Sequence, residues 1–304
     1  MITSTREELR EEIEWCCKLY PEFKEVKDIL KAAFDAEAQF YRKNPEAVRP
    51  CSYGGTADQI KQRFIDDKSL GLVNTEIKSA SFKELFSSLT GEISRTNPEL
   101  KDAMEEADRY LSSAFPVIQE VSTRNQVFHL MDKTIENTSL KSDLATFLFH
   151  FTFSSLFQRT LKDLVGEVDT SPWRRGECPL CEAKPHYGQL RKEDGAKIME
   201  CWLCGTRWQH ARVQCPGCQS KDQEQLGLFT VEGNELCRIH FCKECHGYYK
   251  IFDARRLEKK EIVQYVHHLA TLSHDVLAAK EGFSPISGLE WINREEISGV
   301  DTKH

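Results

Sequence analysis

No stretch of this sequence is apolar enough to cross a membrane as a helix. About 18 unbroken apolar residues would be needed, and the greasiest run, residues 147–153, is cut by His150 and Thr152. The first eight residues lack the basic start and apolar segment of a secretory signal, which predicts a cytoplasmic protein without membrane insertion. Arg174 and Arg175 are adjacent but internal, so they do not read as a twin-arginine export signal. Also missing are a Gly-rich phosphate loop, a nucleophile elbow and a metalloprotease helix motif. With no catalytic constellation in view, the expectation is a binding protein and not an enzyme. Sixteen Gly and ten Pro in 304 residues are ordinary numbers that exclude collagen-like and low-complexity chains. One-sided charge is absent too. Forty-one Lys and Arg against 48 Asp and Glu leave a net charge of −7, which argues against a dominant electrostatic grip on nucleic acid or anionic lipid.

Cysteine is what the chain has in plenty. Of twelve, eight form four Cys-x-x-Cys pairs: Cys178 with Cys181, Cys201 with Cys204, Cys215 with Cys218, and Cys242 with Cys245. In a reducing compartment such pairs are metal ligands or redox groups more often than disulfides. Two residues between thiolates form a tight turn that presents both sulfurs to one ion, and a tetrahedral site needs two such turns. Four pairs therefore predict two sites. Nineteen residues separate the first pair from the second and 23 the third from the fourth, but only ten separate the second from the third. Sequential pairing gives two ribbon modules of ordinary size, whereas joining the second pair to the third would enclose too short a loop. Each module is too small to bury a sufficient core, so its ion would do folding work. Four thiolates suit Zn or a single rubredoxin-like Fe, and spacing does not choose between them.

The rest of the chain organises around these pairs. Residues 6–19, 22–42, 57–68, 82–94, 98–111 and 139–164 read as helices, with Pro21 and Pro45 as punctuation. Phe147, Phe149, Phe151 and Phe153 alternate as in a strand, but the apolar pattern runs on too long for one, so a helix buried on most sides is expected. Asp169, Thr170, Ser171 and Pro172 mark a linker. Beyond it, short extended segments at 197–202, 207–213, 227–231 and 238–242 alternate with the cysteine turns. A closing helix is expected from about 261 to 280, with Gly282 near its stop and its apolar face docked within the chain or on a second copy as a homodimer. The fold class is thus α+β. An all-α domain over 1–170 precedes metal modules over 171–212 and 213–253, then a C-terminal helix and tail over 254–304.

Bland readings suffice for the other candidates. Cys16 and Cys17 point about 100° apart on one helix, Cys51 has no base beside it in sequence, and Cys237 reads as a buried strand residue. His267, His268 and His274 lack i, i+4 spacing and are expected at solvated helix positions. Trp202, Trp208, Tyr248 and Tyr249 offer a stacking platform for bases, or, preferred here, a minimal core over the metal.

Beyond the cysteines, several residues stand at fixed offsets: Pro179 and Pro185, Trp208 and Arg212 before Cys215, Tyr248, Lys250 and Ile251 after Cys245, and Glu281, Gly282 and Phe283 closing the last helix. This arrangement resembles the formate dehydrogenase accessory proteins, bacterial maturation factors for respiratory formate dehydrogenase. The resemblance spans residues 178–283; over 1–165 it is one of helical character and domain order. It implies a helical domain followed by two rubredoxin-like modules, with iron bound by the eight paired cysteines. It also implies a non-catalytic chaperone that binds the catalytic subunit of formate dehydrogenase. Glu182 and His246 depart from the family, which often has Gly after the cysteine turn, and His240 stands where an acidic residue can occur. Two other readings are a nucleic-acid-binding zinc ribbon and a rubredoxin-like electron carrier. Residues 178–250 carry ten Lys and Arg against nine Asp and Glu, a balance of +1, whereas a nucleic-acid module is usually distinctly basic.

Overall fold

The structure, a computed structural model, describes residues 6–72, 77–114, 120–121, 124–257 and 262–289. The chain divides into two compact units, one of residues 1–54 and 72–167, the other of residues 55–71 and 168–304. Up to residue 167 the helices are α1 (Arg6–Leu19), α2 (Lys27–Lys43), α3 (Ala57–Ile65), α4 (Ser79–Thr96), α5 (Lys101–Ala114), α6 (Arg124–Asn137) and α7 (Ser142–Glu167). Two-residue strands β1 (Ile77–Lys78) and β2 (Glu120–Val121) pair antiparallel.

In the first unit α7 is the central element. Phe147, Phe149, Phe151, Phe153 and Phe157 are each at most 8% exposed, as an all-round apolar helix requires. The Phe149 ring lies 5.0 Å from that of Phe86 on α4, and Phe151 lies 5.5 Å from Phe34 on α2. Thr152 and Thr160 donate to the helix's own Leu148 and Leu156 carbonyls at 2.7 and 2.9 Å, whereas the Ser155 hydroxyl reaches Glu37 and Tyr41 on α2. Helix α6 was not foreseen, because its buried positions Val127, Leu130 and Thr134 form a narrow stripe among polar residues.

The second unit is a seven-stranded sheet with helices. Its strands are β3 (Tyr187–Leu190), β4 (Lys197–Glu200), β5 (Arg207–His210), β6 (Leu226–Val231), β7 (Asn234–Cys242), β8 (Gly247–Asp253) and β9 (Ser284–Pro285). The order is β5-β4-β3-β8-β7-β6, with β9 beside β8. Each cysteine module supplies one antiparallel meander of three strands, and the meanders are joined by parallel pairing of β3 with β8, from Tyr187 opposite Lys250 to Leu190 opposite Asp253. The two modules thus share a single sheet. Strands β3 and β8 are buried at every position, and so carry no period-two alternation by which a sequence announces a strand.

Residues 55–71 pack with the cysteine half, although the sequence reading keeps them with the helices. Helix α3 opens with a capping box between Thr56 and Gln59. It places the Phe64 ring 5.6 Å from that of Trp173, and the Leu70 amide donates to the Pro179 carbonyl at 2.8 Å.

The closing helix differs from its expectation. It is two helices, α8 (Gln264–Ala270) and α9 (Leu272–Lys280), and position 261 lies outside the described residues. The break at Thr271 has a cause: the Lys250 ammonium donates to the carbonyls of His268 (2.9 Å) and Thr271 (3.2 Å), satisfying helix-end acceptors that would otherwise be orphaned by burial. Helix α9 ends as Gly282 suggests. That residue has φ +85°, and the amides of Gly282 and Phe283 donate to the Ala279 and Ala278 carbonyls, which is a Schellman cap. His267, His268 and His274 are buried and not solvated, because α8 is buried at every position and His274 lies with Asp275 and Ala278 on the covered side of α9.

Candidate metal centres

Each Cys-x-x-Cys pair forms the same backbone turn. In the first, the Cys178 amide donates to the Ala183 carbonyl and the Glu182 amide to the Cys178 carbonyl; the turns at Cys201 and Cys215 repeat both bonds at the same offsets. Closing the turn demands a left-handed residue directly after the second cysteine. Glu182 has φ +60°, Gly205 +75°, Gln219 +67° and His246 +52°. Only one of the four is glycine, so the departures from the family at 182 and 246 leave the turn intact, with the cost of a left-handed side chain borne locally.

The structure gathers the sulfurs of Cys178, Cys181, Cys201 and Cys204 in one cluster and those of Cys215, Cys218, Cys242 and Cys245 in another, each set within 4.8 Å. In the first, Cys178 and Cys204 are 3.5 Å apart, Cys181 and Cys201 3.5 Å, and Cys181 and Cys204 3.6 Å. In the second, Cys215 and Cys245 are 3.8 Å apart, and Cys218 and Cys242 3.7 Å. A tetrahedron of sulfurs about 2.3 Å from a central ion has edges of about 3.8 Å, so both donor sets fit Zn, or an iron of similar size. Burial, reinforced by neighbouring sulfurs, pushes the Cys181 and Cys201 thiols up, while hydrogen bonds from Cys178, Cys181, Cys201 and Thr206 overcome burial and hold Cys204 down. Burial likewise raises Cys215 to about 11. Four thiolates crowded in this way need a cation to be ionised together.

The two centres differ in cover. Every residue of 178–181 and 201–204 is buried, whereas Lys243, Glu244 and Cys245 are exposed and Cys218 is half-buried. Around the first centre, the Thr206 hydroxyl lies 3.1 Å from the Cys204 sulfur, and the Trp202 and Trp208 indoles donate to the carbonyls of Lys184 and Arg175. Trp202, Trp208, Tyr248 and Tyr249 are all at most 4% exposed, so they serve as core and present no face for stacking a base. The remaining cysteines lie outside both clusters. Cys237 is fully buried in β7, Cys16 is buried, and Cys17 and Cys51 are half-buried.

Two polar clusters escaped the sequence reading. His186, His268 and Asp275 bring ligand atoms within 4.8 Å of one another, but a cation already sits there. The Lys250 ammonium is 2.6 Å from Asp275 and no more than 1% of either side chain is exposed. Tyr248 donates to the same carboxylate at 2.8 Å. Although burial alone would raise Asp275, the Lys250 charge and the His186 hydrogen bond hold it at about 2. This is an internal ion pair and not a third metal site. In the other cluster, the Lys197 ammonium donates to the Gln214 carbonyl (3.0 Å) and the Tyr249 hydroxyl (3.2 Å), and burial lowers it to about 7. Lys250 stands among the fixed-offset residues, and its place inside the otherwise apolar run of residues 247–252 is the sequence signal for a buried charge.

No family model matches the chain. A protein of Aquifex aeolicus named Protein FdhE homolog is 24% identical over 238 residues, which cover 72% of this chain and 78% of that one. The homolog of Haemophilus ducreyi is 27% identical over 52% of this chain and 51% of its own, and Protein FdhE of Salmonella choleraesuis is 29% identical over 48% and 47%. The chain therefore spans about half the length of these last two relatives. The crystal structure of the FdhE protein from Pseudomonas aeruginosa shares the fold with a TM-score of 0.60 at 17% identity, covering 94% of this chain and 96% of that one. The chain is thus related to proteins named FdhE, the formate dehydrogenase accessory proteins its cysteine pattern resembles.

Proposed function

We propose that this chain is an accessory protein for the maturation of formate dehydrogenase, acting in the cytoplasm by binding the enzyme's catalytic subunit and not by catalysis. The observation that carries the reading is the paired four-cysteine sheet in a chain related over 238 residues to Protein FdhE homolog of Aquifex aeolicus. Cys178, Cys181, Cys201 and Cys204 would hold one Fe or Zn ion, and Cys215, Cys218, Cys242 and Cys245 a second. When bound, each ion supplies a cross-link between turns and no open coordination position for a substrate. The chain's own residues do the rest. The positive-φ turns aim the sulfurs, β3 and β8 weld the modules, and Lys250 ties the sheet to α8 and α9. Among the described residues no helix is long and apolar enough to cross a membrane.

Affinity capture of the full chain from native cytosol under anaerobic conditions, with mass-spectrometric identification of bound proteins, tests this reading. The expected partner is a formate dehydrogenase catalytic subunit, and its reproducible absence would count against the assignment. Joint replacement Cys215→Ala and Cys218→Ala should remove one ion per chain and weaken capture, because half a tetrahedral site does not retain its metal.

A further inference from the structure

The two centres share one donor set, but their surroundings are unequal. At the first centre all eight residues of the two turns are buried, and residues 55–71 brace it: Leu70 bonds to the Pro179 carbonyl and Ser69 to the Glu182 carboxylate. The second centre is walled on one side by the Ile286 side chain, close enough that a Cβ on Gly247 would lie 2.4 Å from it. Among the described residues, the turn on its other side is open. Residues 243–246 are exposed in succession, Cys245 with them, and Cys218 is half-buried. Cys215 and Cys242, by contrast, are fully buried. Two ligand residues, Cys215 and Cys242, therefore anchor this centre from within, and the other two lie toward its exposed side.

We infer that the second centre is an exchangeable metal site whose Cys245 sulfur yields its place to an incoming thiol, while the first is a permanent structural site. The inference rests on the reading that both clusters hold metal. The ligand class is a soft sulfur donor, such as a low-molecular-weight thiol or a cysteine of a bound protein. The exchange is a substitution without redox change: the bond from the ion to Cys245 breaks, one to the incoming sulfur forms, and the proton shed by the incoming thiol ends on Cys245. No oxidant or reductant is consumed. Cys215 and Cys242 keep the ion on the protein during the step because solvent does not reach them.

The test uses the full chain reconstituted with zinc, with total zinc measured first. Fewer than two ions per chain would defeat the two-centre reading itself. With two ions present, release to the chelator 4-(2-pyridylazo)resorcinol should be biphasic, one equivalent leaving at least about tenfold faster, since the buried centre must open locally before it can react. Reduced glutathione should speed the fast phase and leave the slow one unchanged. N-ethylmaleimide followed by peptide mass spectrometry should label Cys245 and Cys218 before any of Cys178, Cys181, Cys201 or Cys204. Release of both ions at one rate, no acceleration by glutathione, or equal labelling of the two clusters would overturn the inference. The measurements use the unaltered protein, so none depends on a variant that fails to fold.

Discussion

Lys250 and Asp275 form an ion pair of 2.6 Å that is closed to solvent and joins β8 to α9. The same lysine caps the end of α8, and the same aspartate accepts from Tyr248. A buried pair of this kind is not strong evidence of net stability, but removing one partner strands the other charge. Lys250→Met should therefore cost about 3–5 kcal/mol in urea unfolding. Joint replacement Lys250→Met and Asp275→Leu should recover part of that loss, and a double variant as unstable as the single would show the pair to be more than mutual compensation.

Acid should expose two other buried residues. Burial and the nearby Lys197 charge lower both His210 and His240 to about 3, against about 6.5 in the unfolded chain. Between these values the unfolded state binds the extra protons, so stability is full above about pH 6.5 and falls as pH drops toward 3. Replacing either histidine by Gln should reduce the slope of stability against pH by up to about 1.4 kcal/mol per pH unit within that window. Urea midpoints of parent and variant between pH 5 and 6.5 measure it, and parallel slopes would contradict it.

Gly176 should be irreplaceable for the second centre. A Cβ there would lie 2.0 Å from the Pro216 carbonyl oxygen, inside the Cys215 turn. Gly176→Ala must displace that turn, so zinc content should fall from two ions toward one while Cys178, Cys181, Cys201 and Cys204 stay protected from alkylation. Two firmly held ions in this variant would mean that the turn moves without cost.

Much of this architecture could be read from the sequence because it rests on local signals. The cysteine spacing grouped the sulfurs correctly, and the Phe-rich run was a helix because its apolar pattern outlasted any strand. What escaped depends on distant partners. Strands β3 and β8 are enclosed on both faces, so Gln189, Lys250 and Asp253 sit where an alternating pattern would lead one to expect solvent. His267, His268 and His274 read as solvated because nothing in a helix reveals that a sheet covers it. The break at Thr271 follows from a lysine 21 residues earlier in sequence. The unequal cover of the two centres was equally hidden, since identical Cys-x-x-Cys turns differ only in what packs around them.

Formate dehydrogenase activity in cells that lack this chain tests the proposed maturation role most directly. In such cells the catalytic subunit should still be synthesised but inactive, and supplying the intact chain should restore activity whereas supplying one with Cys178, Cys181, Cys201 and Cys204 replaced by Ala should not. Full formate dehydrogenase activity in the absence of this chain would contradict it.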